Sequence, residues 1–362
     1  MKRPIHGGNL NWAAQLAGCS PSVILDFSAS INPLGPPTSA LRAIQGGLES
    51  LKNYPDPNYS QLRETLGNEH NLDPNLIIPG NGAAELLTWA GRELATLDAV
   101  YLLTPGFRDY QRALEAFGAK IIPCPLEVPR MAQKTVQGED LSLNPPVSQN
   151  CGLLLNNPHN PTGQLFSYQS ILPYLEQFTL VVIDEAFMDF LPPQEQESLI
   201  TEVENYPNLV VLRSLTKFYS LPGLRIGYAI AHPDRLKQWQ QWRDPWAVNS
   251  LASEAAIAVL EDTAFQKQSW DWLKIARSRF YQDLANISGL SPLPSAANFF
   301  LVATDFSATE LQAQLLQDSQ ILIRDCLSFP ELGDHYFRVA IRHVEENQKL
   351  TQAVRSVIKS IN

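Results

Sequence analysis

The sequence is short of cysteine, of basic blocks and of long apolar runs, and each shortage closes a class of function. Cys19, Cys124, Cys151 and Cys326 are scattered, with no Cys-x-x-Cys pair and no histidine at ligand spacing. Free thiols are expected, and no metal site. No stretch approaches the roughly 18 apolar residues of a membrane span. The start, Met1 to Asn9, carries Lys2 and Arg3 but no apolar segment behind them, so a soluble cytoplasmic protein is the expectation. No run of five basic residues occurs, and 27 Lys and Arg stand against 37 Asp and Glu, a formal net charge of -10. That sign is wrong for nucleic acid or an anionic membrane surface as the main partner. Internal repeats and low-complexity segments are also missing.

What is present is a chain of 362 residues, 44% of them hydrophobic, enough for a large core and more than one lobe. Short apolar runs alternate with helical patterns. Strands are expected at 76–78, 100–103, 120–123, 152–155, 180–184, 209–212 and 226–230, and helices at 38–51 (capped by Thr38 or Ser39), 60–70, 83–94, 109–117 and 167–177. Continuous apolar strands are those covered on both faces, so the pattern predicts an α/β fold with a mostly parallel sheet. Residues 128–149 are polar and Pro-interrupted and read as loop. After Arg235 the pattern is helical, and strand candidates at 299–302, 321–324 and 337–341 with a closing helix at 345–361 indicate a smaller α+β lobe. The arm around His6, Gly7 and Gly8 reads as flexible.

In an open α/β sheet, ligands sit at the carboxyl ends of the strands. The residues just beyond the apolar runs are Gly82 and Ala83, Phe107, Asn160, Asp184, and Ser214 with Lys217. Gly80-Asn-Gly82 before a helix offers backbone N–H groups to a phosphate. It lacks the third glycine of a dinucleotide fingerprint and the Gly-Lys-Ser/Thr of a P-loop, and an ordinary tight turn is its other reading. Lys217 follows Val210-Val-Leu212 in a polar turn, with Arg225 eight residues on. A lysine that attacks a carbonyl must be partly desolvated and near other cations, so that the neutral amine is populated. Taken singly, Asn160-Pro-Thr-Gly163 is a good turn, Phe107 a core aromatic and Asp184-Glu185 a helix-capping pair. Together they fit pyridoxal phosphate: Lys217 as the amine that takes the aldehyde, Asp184 as the partner of the pyridinium nitrogen, Asn160 at the ring oxygen and Phe107 on the ring face. Adjacent residues on a strand face opposite ways, which argues against Asp184 and Glu185 working as a carboxylate pair.

Asn160-Pro-Thr-Gly163, Asp184-Glu-Ala-Phe187, Ser214-Leu-Thr-Lys217 and Arg225 resemble the signature of fold type I pyridoxal-phosphate enzymes of the aspartate aminotransferase superfamily. Within it the chain is similar to the histidinol-phosphate aminotransferase branch, and closest to the threonine-phosphate decarboxylases of cobalamin biosynthesis. The segments His6-Gly-Gly-Asn9, Leu25 to Gly35, Thr104-Pro-Gly-Phe-Arg-Asp-Tyr110, Asp184 to Phe190, Pro245-Trp-Ala-Val-Asn249 and Phe337-Arg-Val-Ala-Ile-Arg342 carry the closer likeness.

The resemblance implies an arm and part of a small domain in residues 1–50, a large cofactor domain in 51–248 and a small domain in 249–362. It implies a homodimer in which Tyr54 reaches the partner's cofactor phosphate. Ser214, Arg225, Gly82 and Ala83 would surround the phosphate of their own subunit. Arg338 would take the substrate carboxylate beside Asn160, and Arg324, helped by His6 and Gly7, a substrate phosphate. The implied substrate is a small phosphorylated amino acid, O-phospho-L-threonine, which is decarboxylated; transamination of histidinol phosphate is the alternative, and a non-catalytic cofactor sensor a further one. Two departures matter. Phe187 stands where the aminotransferases of this branch carry tyrosine, which points to the decarboxylases, and Ser30 stands where those decarboxylases carry asparagine, which shortens one substrate contact.

Overall fold

Runs such as Leu209-Val-Val-Leu212 have no polar face, and they form strands only where both faces are covered. In the computed structural model, which describes residues 3–128, 137–144 and 148–361, seven such strands make one sheet: β1 (Ile77–Asn81), β2 (Ala99–Thr104), β3 (Ile121–Pro125), β4 (Cys151–Asn156), β5 (Leu180–Asp184), β6 (Leu209–Ser214) and β7 (Ile226–Ala231). Their spatial order is β1-β7-β6-β5-β4-β2-β3. The five from β6 to β3 are mutually parallel, and β7 runs antiparallel to both of its neighbours. Every position of β4, β6 and β7 is buried. Each fully buried Leu, Ile or Val contributes about 1.5–3 kcal/mol relative to exposure, so the middle of the sheet is held by apolar burial on both faces.

The register fixes the working edge. Asn156 lies beside Asp184, and Gly227 lies between Ser214 and Gly80. The carboxyl ends of β1, β2, β4, β5 and β6 therefore open on one side, together with the start of β7. A second sheet comprises β8 (Leu290–Pro292), β9 (Phe299–Thr304), β10 (Arg324–Asp325) and β11 (Tyr336–Ala340) in the order β8-β9-β11-β10. The amino-terminal segment joins this half through Leu25–Asp26, which pairs in parallel with Ile321–Leu322.

Several expected elements differ. The helix at 38–51 is α-helical only over Thr38–Gly46 and continues as a 3-10 segment, Gly47–Lys52. Neither Thr38 nor Ser39 caps it: Pro37 holds the cap position without a side-chain bond, and the Ser39 hydroxyl donates to Asp262 instead. The helix at 167–177 is one α-turn, Tyr168–Ile171, then a 3-10 turn, Leu172–Leu175, because Pro173 lacks the N–H that the ladder needs. Within the 128–149 segment read as loop, Gln137–Glu139 is a strand paired with Leu165–Phe166, while 129–136 and 145–147 lie outside the described residues. The arm is tied down: Arg324 donates from Nη1 to the Pro4 carbonyl at 3.2 Å and from Nη2 to the Ile5 carbonyl, and Arg3 pairs with Asp325 at 3.2 Å. These two charge-assisted contacts tether the chain at Pro4 and Ile5, just ahead of Gly7 and Gly8.

Candidate active site

Lys217 lies in the single helical turn Leu215–Phe218 that leaves β6. The Ser214 hydroxyl accepts from the Thr216 N–H at 3.4 Å and starts that turn. The lysine carbonyl accepts from the Asn32 N–H at 3.0 Å, and Asn32 donates to the Phe218 carbonyl at 2.8 Å, so the early chain clamps the turn. The Nζ atom is 4.9 Å from the centre of the Phe187 ring. Burial lowers its pKa; Asp184 opposes the shift, while Arg338 and Arg225 add to it. Such a shift favours the neutral, nucleophilic form of the amine.

Asp184 ends β5. Its Oδ2 accepts from the Tyr110 hydroxyl at 2.8 Å and its Oδ1 from the Ala186 N–H at 2.9 Å. Burial pushes its carboxyl pKa up, against the pull of Lys217, the Tyr110 hydroxyl and the Ala186 N–H. Its neighbour Glu185 has a different task. Fully buried, it meets Arg213 Nε at 3.0 Å and accepts from the Ser198 hydroxyl and the Leu199 N–H. Arg213 also pairs with Asp189. Glu185 is thereby a structural anchor, as the strand alternation required.

Arg338, on β11, enters from the smaller sheet. Its Nη1 donates to Asn160 Oδ1 at 2.5 Å and its Nη2 to the Ser28 carbonyl at 3.2 Å, with the guanidinium 4.9 Å from the Phe299 ring. Burial lowers its pKa to about 10, Arg324 contributing, which leaves it charged at neutral pH. Arg324 gives its remaining contact to the Ser328 hydroxyl at 2.5 Å. The His6 ring lies 5.5 Å from the Phe107 ring, and burial lowers its pKa. These groups line one cavity of about 200 Å³, shared by Gly7, Ser30, Asn160, Asp184, Phe187, Lys217 and both arginines.

Gly82, Ala83, Ser214 and Arg225 are not among that cavity's walls; they meet at the start of β7. Gly82 has φ +76°, and a Cβ there would stand 2.6 Å from Arg225 Nη2. A Cβ on Gly227 would stand 2.6 Å from the Ala83 nitrogen. Glycine at both positions leaves room for the Arg225 guanidinium beside Gly82 and for the Ala83 nitrogen beside Gly227. Tyr54 is elsewhere: 79% exposed, it packs on Trp246 at a ring distance of 4.5 Å and lines no part of the cavity in its own chain. Sequence reasoning missed Tyr110, Asn156, Ser28, Arg108 and Ser328. Asn156 ends an apolar run and could have been found by the rule that found Asp184. Tyr110 is three residues past Phe107 at the start of Arg108–Glu115, hence on the same helical face.

The donor set suits pyridoxal phosphate on its own chemistry. An amine of lowered pKa and a carboxylate at a strand end line one cavity, and Arg225, which stands beside Gly82, is near enough to act on that amine. The Arg338 Nε and Ser30 Oγ are buried with no protein partner, as expected of groups kept for a ligand.

Residues 22–356 match the family model Aminotransferase class I and II. The chain is 37% identical to threonine-phosphate decarboxylase of Salmonella typhimurium over 98% of its length and 97% of that protein. Its fold is similar to the crystal structure of histidinol-phosphate aminotransferase from Clostridium acetobutylicum, at 28% identity and a TM-score of 0.81 over 93% of this chain and 100% of that one. It is similar also to L-threonine-O-3-phosphate decarboxylase from Porphyromonas gingivalis, at 26% identity and a TM-score of 0.79 over 92% and 99%. The Lys217 turn, the Asp184 strand end and the Asn160–Arg338 pair thus stand within a known architecture, and the chain belongs to the aminotransferase class I and II family.

Proposed function

We propose that the protein is a pyridoxal-phosphate-dependent decarboxylase of O-phospho-L-threonine, releasing carbon dioxide and (R)-1-aminopropan-2-yl phosphate in cobalamin biosynthesis. The observation that carries this reading is the pair of buried arginines in one small cavity, Arg338 beside Asn160 and Lys217, and Arg324 beside the arm. In a chain of net charge -10, two such guanidiniums select a small substrate with two anionic groups. The Salmonella relative supports the same substrate.

When bound, pyridoxal phosphate supplies an electron sink for the pair left at Cα as the carboxylate departs. Gly82, Ala83, Ser214 and Arg225 would hold its phosphate, Lys217 would be the amine that holds its aldehyde carbon, Phe107 would cover the ring and Asp184 would pair with the protonated pyridine nitrogen. Asn160 would bond the ring oxygen, and it accepts from Arg338 at 2.5 Å, which would orient that guanidinium for the substrate carboxylate. Arg324, with His6 and Gly7, receives the substrate phosphate, and the free Ser30 hydroxyl serves the same ligand. Lys217 Nζ returns a proton to Cα once carbon dioxide has left. Phe187 gives no hydroxyl to the ring oxygen.

The chain forms a homodimer in this reading, with Tyr54 completing the partner's phosphate site. Exposed Leu41, Leu48, Leu51, Tyr54 and Trp246 support such a face. The boundaries near 50 and 248 gain support from the separation of the two sheets, one within 77–231 and the other within 290–340. No helix among the described residues is long and apolar enough to cross a membrane, and a cytoplasmic location is proposed.

Transamination of histidinol phosphate is the second reading, favoured by the Clostridium likeness. Comparing kcat/KM for the two substrates on the holoenzyme separates them. O-phospho-L-threonine is expected to be preferred by at least about 100-fold; preference for histidinol phosphate with 2-oxoglutarate would reverse the assignment.

A further inference from the structure

A second cavity lies outside the site above. It is a cleft of about 740 Å³ between the long helix Thr263–Ala285 and the segment 190–195, closed below by 294–300. Its body is apolar and aromatic, from Phe190, Trp270, Leu273 and Tyr281. A volume of this size is that of sites for drug-sized ligands.

The charged groups on its wall are Lys267, Lys274 and Arg277 against Glu195 and Asp271. Lys267 and Asp271 satisfy one another at 2.6 Å on the exposed rim. Arg277 is the group without an answer. Its Nη2 donates to the Ala296 carbonyl at 2.8 Å, which pins the guanidinium to the floor, while its Nε is buried with no partner. Among the described residues no carboxylate lies within ion-pairing distance of it; Glu195 acts on it only at longer range, and burial lowers its pKa to about 10. A guanidinium held in a partly dry wall without a counter-ion is costly unless an anion completes it. Lys274 stands three residues before it, one turn away on the same face. Trp270 is kept in place from behind, its indole N–H donating to the Asp189 carbonyl at 2.9 Å and its ring 6.0 Å from Phe218.

We infer that this cleft is a second, non-catalytic binding site for a small organic anion with an aromatic or branched apolar body, whose carboxylate or sulfonate meets Arg277 and Lys274 while its body lies on Trp270, Phe190 and Tyr281. It shares a wall with the candidate active site through Phe190, which stacks near Phe187 at 6.4 Å, yet none of its lining residues belongs to the proposed catalytic set.

Titrating the cofactor-loaded enzyme with anilinonaphthalene sulfonate and following the dye's fluorescence tests this without using turnover. Saturable binding is expected, weakened about tenfold or more in Arg277→Gln, less in Lys274→Gln, and unchanged in Arg324→Gln. Phenylnaphthylamine, the same body without the sulfonate, is expected to bind wild type at least about tenfold more weakly; this comparison holds even if Arg277→Gln fails to fold. Absence of saturable binding, equal affinity for the neutral compound, full binding by a folded Arg277→Gln variant, or loss of binding in Arg324→Gln would each overturn the inference.

Discussion

Asp184 and Tyr110 show how much one charge can matter beside one hydrogen bond. The Tyr110 hydroxyl donates to a carboxylate that also has the Ala186 N–H, so Tyr110→Phe removes one of two hydrogen bonds and is expected to lower kcat by tenfold at most, about 1.4 kcal/mol. Asp184→Asn removes the charge itself, and a loss on the order of 10²–10³-fold in kcat is expected, with KM changed less. Steady-state kinetics on both variants checks the order. Equal losses would mean that Asp184 acts only through position. At this scale much of the site was legible, because Lys217, Asp184 and Asn160 follow apolar runs whose ends must open on one edge. Tyr110 was not, since its partner is 74 residues away and no local signal records that contact.

The strand–glycine–helix unit β1, Gly82 and Ala83–Leu94 carries its function in backbone geometry. Gly82→Ala forces a side chain onto φ +76° and against Arg225, and the affinity of the apoenzyme for pyridoxal phosphate is expected to fall about tenfold or more in a fluorescence titration. Gly223→Ala meets nothing within 4 Å and is expected to leave that affinity unchanged, which separates the cradle from a general effect of lost flexibility. The elements misread from sequence share a cause. Pro173 shortened a helix that periodicity alone extended. Gln137–Glu139 became a strand only because Leu165–Phe166, distant in sequence, offered an edge. Ser39 left its cap because Asp262 lay within 2.6 Å, a tertiary contact that outcompeted a local one.

For the whole molecule, the face of Leu48, Leu51, Tyr54 and Trp246 stays uncovered in a single chain. Analytical ultracentrifugation is expected to give twice the chain mass, and Tyr54→Phe to weaken cofactor retention without changing that mass; a monomer that retains cofactor fully would remove the proposed role of Tyr54. The two-sheet arrangement bears on the chemistry: Arg338 and Arg324 come from the second sheet and Lys217 and Asp184 follow or end strands of the first, so the candidate cavity lies where the two sheets meet. Sequence patterning showed both halves, yet the junction rests on long-range contacts such as Arg338 to Asn160, which periodicity does not encode. The central claim concerns which bond at Cα breaks there. Supplying O-phospho-L-threonine, isotopically labelled at its carboxyl carbon, to the holoenzyme together with 2-oxoglutarate reads it most directly. The account predicts one labelled carbon dioxide per substrate consumed, an amine that stays on the product, and no glutamate; label retained in a 2-oxo acid with matching glutamate would contradict it.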